Sequence, residues 1–465
     1  MSSSNNTVAV VLAAGQGTRM RSELPKVLHS LSGRTLVSWA VGAALEGGAN
    51  ECVVVVGHGR EAVESDLEAR YPGRVRFAFQ EEQRGTGHAV RCALEQALPD
   101  FEGQLLVTYG DCPLVTAETL RALFEAGAGR DCAILVATKK DPKGYGRMLR
   151  KDGVVVGIRE HKDCSPEELL IHEVNPGLYC FDAKFAADAI ARLNDNNAQG
   201  ELYLTDLIAM AESVADIPGD MDELRGVNDR FELAQCGDIL RRRILEGLAR
   251  SGVGILDLET TNIGADCQIQ PGATIHAGVH LRGKCRVAGG AVIDVGSILT
   301  DVSVATGAHL QPYSVAAESA IGPSAKVGPF SHLRPHTKLA EGAKVGNFCE
   351  TKKTSIGKNS KVNHLAYVGD GMIGEGVNIG AGVIFCNYDG VNKNVTTLED
   401  GVFIGSDSQL VAPITVGKGA YVASGSTITK DVPADALALS RTKQQNKEGY
   451  ATRLRARMEA AKKRG

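Results

Sequence analysis

No charge of either sign dominates this chain. Lys and Arg number 51 against 55 Asp and Glu, a formal net charge of −4, so there is no general field for holding nucleic acid or another polyanion. The eleven cysteines form no framework either. They contain no CxxC pair and no metal-ligand spacing, and an odd, scattered set reads as reduced thiols in a reducing cytoplasm. No apolar run approaches membrane length, and Met1-Ser2-Ser3-Ser4-Asn5-Asn6 has neither the basic region nor the apolar core of a secretion signal. Aromatic residues are scarce at 5 %, whereas glycine is abundant with 54 residues. The GxGxxG dinucleotide fingerprint and the GxxxxGK[ST] P-loop are both missing. At 465 residues the chain exceeds what one core organises, so two or three domains are expected.

What the second half does contain is a six-residue beat. An aliphatic residue recurs at Ile263, Ile269, Ile275, Leu281, Val287, Ile293 and Leu299, again from Ile321 to Val345, and again from Ile404 to Ile428. Helices repeat at about 3.6 residues and half-buried strands at 2, so a hexapeptide period reads as a parallel β-helix of stacked short strands. About nine coils at a rung spacing of ~4.8 Å would stand roughly 40–45 Å tall. The beat breaks across Glu350–Thr354, between Val368 and Ile373, and between Phe385 and Ile404. Breaks in a solenoid are expected to become loops on one face, where function concentrates.

The first half reads as an α/β domain. Val8–Ala14 is a continuous apolar strand, followed by further apolar runs at Cys52–Val56 and Leu105–Tyr109 with helix-like segments between, which predicts a doubly wound parallel sheet. The first strand runs into Gly15-Gln16-Gly17-Thr18-Arg19-Met20, a turn able to cradle phosphate with backbone N–H groups, and Lys26 follows Pro25 close by. Asp111 stands just past the end of a strand, where a carboxylate can hold Mg²⁺ against a triphosphate. Phe231–Arg250 reads as a solvated linker helix, giving expected domains 1–230 and 252–465 with a linker at 231–251.

On the solenoid, the cations Arg334 and Lys352 suit a sugar phosphate. His364 lies between the Lys352 segment and the Asn387-Tyr388 insert, and imidazole suits a base that takes a proton from an attacking amine. Asn387 and Tyr388 offer a carbonyl and a hydroxyl.

The string Leu12-Ala13-Ala14-Gly15-x-Gly17-Thr18-Arg19-Met20 with Pro25-Lys26 resembles the signature of sugar-phosphate nucleotidylyltransferases. Gly144-Tyr145-Gly146-Arg147, Glu160–Asp163, Asn175, Asn196–Glu201 and Val227-Asn228 follow in the order found in one family, and the resemblance spans roughly residues 7–450. That family is the bacterial bifunctional N-acetylglucosamine-1-phosphate uridyltransferases/glucosamine-1-phosphate N-acetyltransferases. The resemblance implies an N-terminal Rossmann-like nucleotidyltransferase domain and a C-terminal left-handed β-helix. It also implies a cytoplasmic homotrimer without nucleic-acid or membrane partners, with UTP and acetyl-CoA as co-substrates and Mg²⁺ as metal, supplying precursors for peptidoglycan and lipopolysaccharide. Positions matching Leu12, Ala13, Ala14, Gly15, Arg19, Lys26, Gln80, Gly85, Thr86, Tyr109, Gly110, Asp111, Gly146, Glu160, Asn175 and Asn228 would contact the uridine nucleotide or its sugar, with Asp111 and Asn228 on the metal. Pro176 departs from the Thr expected there. Arg334, Lys352, Tyr367 and Asn378 would hold glucosamine phosphate, His364 would accept the proton, and Ala381, Asn387, Tyr388, Ser406, Ser424 and Arg441 would face acetyl-CoA or the sugar phosphate. Sites between subunits would put Arg334 and Asn387 against different neighbours. The alternative is a single-function nucleotidylyltransferase whose β-helix serves only to oligomerise.

Overall fold

The computed structural model describes residues 6–463; residues 1–5, read above, lie outside the described residues, as do Arg464 and Gly465. The chain forms two compact units that divide between Ile244 and Leu245.

The first unit is built on strand β1 (Thr7–Leu12), which is buried on both faces. Val8 and Val10 enter one core layer while Ala9 and Val11 enter the other, as the two-residue period of a strand requires. Beside β1 lie β2 (Glu51–Val56), β3 (Val75–Phe79) and β4 (Gln104–Tyr109), all parallel in the order β3-β2-β1-β4. Beyond β4 the expectation of a parallel sheet fails. Tyr179–Asp182 inserts antiparallel between β4 and Cys132–Thr138, and Gly146–Lys151 pairs antiparallel with Val154–Arg159. That hairpin turns on Asp152-Gly153, both at positive φ (52° and 82°), the two-residue turn that matches strand twist. The sheet is therefore mixed. Its parallel part places the ends of β1, β2 and β4 side by side, and its antiparallel part forms a wall beside them.

The helix Arg230–Arg250 is not a solvated linker. Cys236 and Leu240 are 1 % and 2 % exposed, in a cluster with Met20, Leu31, Leu36, Leu114 and Val227. Arg243 donates to the Leu114 carbonyl at 2.8 Å. Its apolar positions thus brace the end of the Gly-rich turn from behind, and the first unit extends past residue 230 to Ile244.

Among the described residues the second unit holds three parallel sheets of 11, 10 and 9 short strands, followed by a helix at Tyr450–Lys462. Register steps eighteen residues from Ile275 to Ile293, three hexapeptides per coil, and seventeen from Ile293 to Leu310. Ile275, Ile293, Leu310, Val327, Val345, Val362, Ile379, Ile404 and Val422 form one inward column, none more than 1 % exposed. Burial of each such side chain is worth about 1.5–3 kcal/mol. Only one of the three breaks is a loop. At Glu350–Lys352 the strand continues, and Thr351 occupies the inward position, fully buried and hydrogen-bonded to the Thr337 hydroxyl at 3.0 Å. The residue missing after Val368 is absorbed at a corner where Asp370 has φ 49°. The third break is a true insert, since register steps twenty-five residues from Ile379 to Ile404.

Leu240→Ala is expected to destabilise the first unit by about 2–4 kcal/mol. Urea unfolding of the full chain checks this, with a lower midpoint for the first unit's transition and an unchanged slope as the expected result.

Candidate active sites

The ends of β1 and β4 open on a cleft of about 300 Å³ lined by Leu12, Ala13, Ala14, Gly15, Lys26, Gln80, Gly85, Thr86, Tyr109 and Asp111, with Gln83 and Glu201 beside them. The glycine of the turn is a steric necessity. Gly17 has φ 63°, and a Cβ there would stand 2.5 Å from Lys26 Cβ, so only glycine lets the lysine stem lie against the loop. The Lys26 ammonium is ion-paired with Asp111. The Gly110 N–H donates to the Leu12 carbonyl at 2.9 Å, tying the two strand ends together. Gln80 Nε2 donates to the Gly85 carbonyl at 3.2 Å, and Gln83 Nε2 to the Ala14 carbonyl at 2.5 Å.

Arg19, Tyr109, Asn228, Pro176 and Tyr145 line a second, adjoining cleft of about 810 Å³. Asn175 lies opposite Gly146 in the antiparallel wall, and its Nδ2 donates to the Tyr179 hydroxyl at 2.6 Å. Gly177 (φ 91°) approaches the Tyr109 ring so closely that a Cβ would lie 2.5 Å from it. Glu160 accepts from the Thr205 hydroxyl at 3.0 Å; burial holds its carboxyl above the ordinary glutamate value. Tyr109 is likewise pushed up by burial, then by the Glu160 charge.

On the solenoid, register arranges the candidates in two columns. Asn347 lies opposite His364, and the pairings Val362–Ile379, Ile379–Ile404 and Ile404–Val422 set His364, Ala381, Ser406 and Ser424 on successive rungs. The column ends where Arg441 donates to the Ser424 carbonyl at 2.7 Å, so position 424 offers its backbone. Asn378 lies on the same sheet, opposite Lys361. The second column is on the next sheet. Arg334, Lys352 and Gly369 occupy successive rungs, with Glu350 and Tyr367 paired beside them. Gly369 leaves room for its neighbours, since a Cβ would meet the Tyr367 hydroxyl at 2.6 Å and Asn387 Nδ2 at 2.7 Å. Arg334 and Asn387 therefore lie along one sheet of the chain. The His364 column lies on a different sheet.

The insert is a small hairpin closed by a Tyr388–Lys393 bridge. Asp389 accepts from the Val391 and Asn392 N–H groups at 2.9 and 2.6 Å, which holds its carboxyl below the ordinary value. Asn387 is buried, and its amide donates to Asp370 at 2.5 Å; Tyr388 is exposed and donates to the Gly390 carbonyl at 2.6 Å.

The comparisons with known proteins agree with this geometry. Residues 9–207 match the MobA-like NTP transferase domain, 260–294 the hexapeptide repeat of succinyl-transferase and 396–430 the bacterial transferase hexapeptide. The bifunctional protein GlmU of Sorangium cellulosum is 52 % identical over 98 % of this chain and 98 % of its own. Those of Corynebacterium efficiens and Pelobacter propionicus are 47 % and 45 % identical, each over 97 % of this chain and over 95 % and 99 % of their own. The chain belongs to the GlmU family. It is a bifunctional enzyme, a nucleotidyltransferase joined to a hexapeptide acyltransferase of left-handed β-helix type.

Family membership implies a divalent metal, and the donors present fit one of a particular kind. Asp111 and the Asn228 side-chain carbonyl are hard oxygen ligands on segments tied by the Val227 N–H to the Asp111 carbonyl at 2.9 Å. Arg19 donates to Asn228 Oδ1 at 2.9 Å, while Lys26 pairs with Asp111. Among the described residues no group of three or more His, Cys, Asp or Glu could hold a metal alone. Two oxygen donors suit Mg²⁺, which keeps several waters and takes phosphate oxygens from the substrate.

Three participants escaped the sequence reading. Gln83 carries a legible signal, since it falls between Gln80 and Gly85. Asp370 and Lys393 carry none, because only the coil register and the insert's fold bring them to Asn387 and Lys352. The Lys393 and Lys352 side chains meet, and Lys393, then Arg334, holds the Lys352 ammonium below the ordinary lysine value. Lys352 therefore loses its proton at a lower pH than an ordinary lysine, and anion binding weakens as pH rises through that range. In Lys393→Gln the Michaelis constant for the sugar phosphate in acetyl transfer is expected to rise about tenfold at neutral pH, the value of one charged hydrogen bond. Its alkaline increase is expected to shift to higher pH, as measured in a profile from neutral to alkaline.

Proposed function

We propose how the residues divide the work of making UDP-N-acetylglucosamine. The β-helix transfers acetyl from acetyl-CoA to glucosamine 1-phosphate, and the N-terminal unit then transfers uridylyl from UTP to the N-acetylglucosamine 1-phosphate, releasing pyrophosphate. The observation that carries this reading is the segregation of two candidate residue sets on two compact units, within a chain similar to bifunctional relatives along nearly its whole length.

In the first reaction Arg334, Lys352 and Lys393 hold the sugar phosphate, with Tyr367 and Asn378 on the sugar. His364 takes the proton from the amine as its nitrogen attacks the thioester carbonyl, and the coenzyme thiolate leaves. Acetyl-CoA lies along Ala381, Ser406 and Ser424, with Arg441 at the far end and Asn387 and Tyr388 at the insert. Because the phosphate-holding face and the His364 column occupy different sheets of one chain, the reading places each site between copies in a homotrimer.

In the second reaction Leu12–Gly15, Gln80, Gly85 and Thr86 hold the uridine nucleotide, and Gly110, Gly146, Glu160, Asn175 and Tyr109 hold the sugar. Mg²⁺ held by Asp111 and Asn228 would neutralise phosphate charge. Lys26 and Arg19, released from Asp111 and Asn228, move onto the triphosphate as the sugar phosphate oxygen attacks the α-phosphorus. Among the described residues no helix is long and apolar enough to cross a membrane, and all eleven cysteines are unpaired, which supports a cytoplasmic site of action.

His364→Ala is expected to lower acetyl transfer by about 10²–10⁴-fold and leave uridylyl transfer intact. Lys26→Ala is expected to lower uridylyl transfer by about 10²–10³-fold and spare acetyl transfer. Separate assays on the full-length variants check both, and equal loss of the two activities in either variant would contradict the assignment. Sedimentation of the full chain is expected to show a trimer; an acetyl-transferring monomer would exclude the shared site.

A further inference from the structure

Two thiols stack near the start of the solenoid, apart from both candidate sites. Cys267 and Cys285 each stand one residue before a strand, Gln268–Ile269 and Arg286–Val287, and those strands pair in parallel with Gln268 opposite Arg286. The two cysteines are therefore neighbours on adjacent rungs, joined by the Gln268 N–H donating to the Cys285 carbonyl at 2.8 Å. Rungs lie ~4.8 Å apart, inside the roughly 4.4–6.8 Å Cα separation that a disulfide accepts.

Their side chains turn to one corner. The Cys267 thiol donates to the Gly283 carbonyl at 3.5 Å and the Cys285 thiol to the Arg282 carbonyl at 3.2 Å. Cys285 is buried, whereas Cys267 is partly exposed and lines an open groove with Leu248, Gln268 and Arg286.

We propose that Cys267 and Cys285 form a reversible disulfide that clips two successive coils together when the protein meets a small-molecule disulfide. Cys267, the one of the pair that solvent reaches, attacks one sulfur of the small disulfide as it gives up its proton, giving a mixed disulfide and one released thiol. The Cys285 sulfur then attacks Cys267 and displaces the second thiol. Two electrons pass from the cysteine pair to the small disulfide, and the pair's two protons end on the two thiols released. In-register neighbours keep their Cβ atoms about one rung apart, wider than the ~3.8 Å of a relaxed disulfide, so the bond is strained and readily reduced.

The test treats the full-length protein with oxidised glutathione, then digests it under alkylating, non-reducing conditions for mass spectrometry. The expected product is a peptide pair linked through Cys267 and Cys285, returned to thiols by excess reduced glutathione. Cys285→Ser is expected to stop at a glutathione adduct on Cys267, and Cys267→Ser to leave Cys285 unmodified. Both variants are expected to keep both transferase activities. A wild-type adduct that persists on Cys267 without closing overturns the proposal. So does a pair that stays reduced while the part-exposed Cys164 is modified.

Discussion

The register of the β-helix is the constraint on which the acetyl-transfer half depends. Each coil returns the chain one rung higher after seventeen or eighteen residues, so side chains that far apart in sequence stand ~4.8 Å apart in space. The backbone ladder and the inward aliphatic column fix that return together. A one-residue slip would turn the whole column outward, so the register is strongly specified. With it fixed, His364, Ala381, Ser406 and Ser424 become a line, and Arg334 and Lys352 become neighbours. The twenty-five-residue coil keeps the same line across its insert because the surplus is spent in a hairpin held by Asp370 and Asp389.

The first unit uses a different device for the same end. Parallel strands deliver the Gly-rich turn and Asp111 to one edge, and the long helix behind them holds Met20 and Leu114 in place. Two cations of the cleft rest on oxygens of the same edge. Lys26 on Asp111 and Arg19 on Asn228 keep four polar groups satisfied within one small volume. The four groups carry one net positive charge, which favours an anion, and an exchange of partners would free both cations.

At the other site like charges stand together. Arg334 has Glu350 as partner, whereas Lys393, then Arg334, holds the Lys352 ammonium below the ordinary lysine value. Repulsion of this kind costs little at an exposed position, where water screens it, and it strengthens the site's attraction for an anion. Local rules of stability are broken where a ligand is expected, as is usual for functional sites.

The sequence alone determined the solenoid, because one strong position in six has no other regular solution. It also determined the nucleotide-handling character of the first half, because an apolar strand, a Gly-rich turn, a nearby Lys and a strand-end Asp lie within local reach of one another. The mixed sheet was partly legible, through the Asp152-Gly153 turn. Tertiary structure decided the rest. Burial of Cys236 and Leu240 turned an apparent linker into part of the first unit. Thr351 filled an inward position with a polar residue, which no hydrophobic pattern could announce, because its partner hydroxyl on Thr337 comes from the preceding coil. Lys393 and Asp370 joined the site through the fold of an insert. Periodic burial is written into residue order, whereas a hydrogen bond or charge pair between coils depends on a register that exists only once the chain has closed on itself.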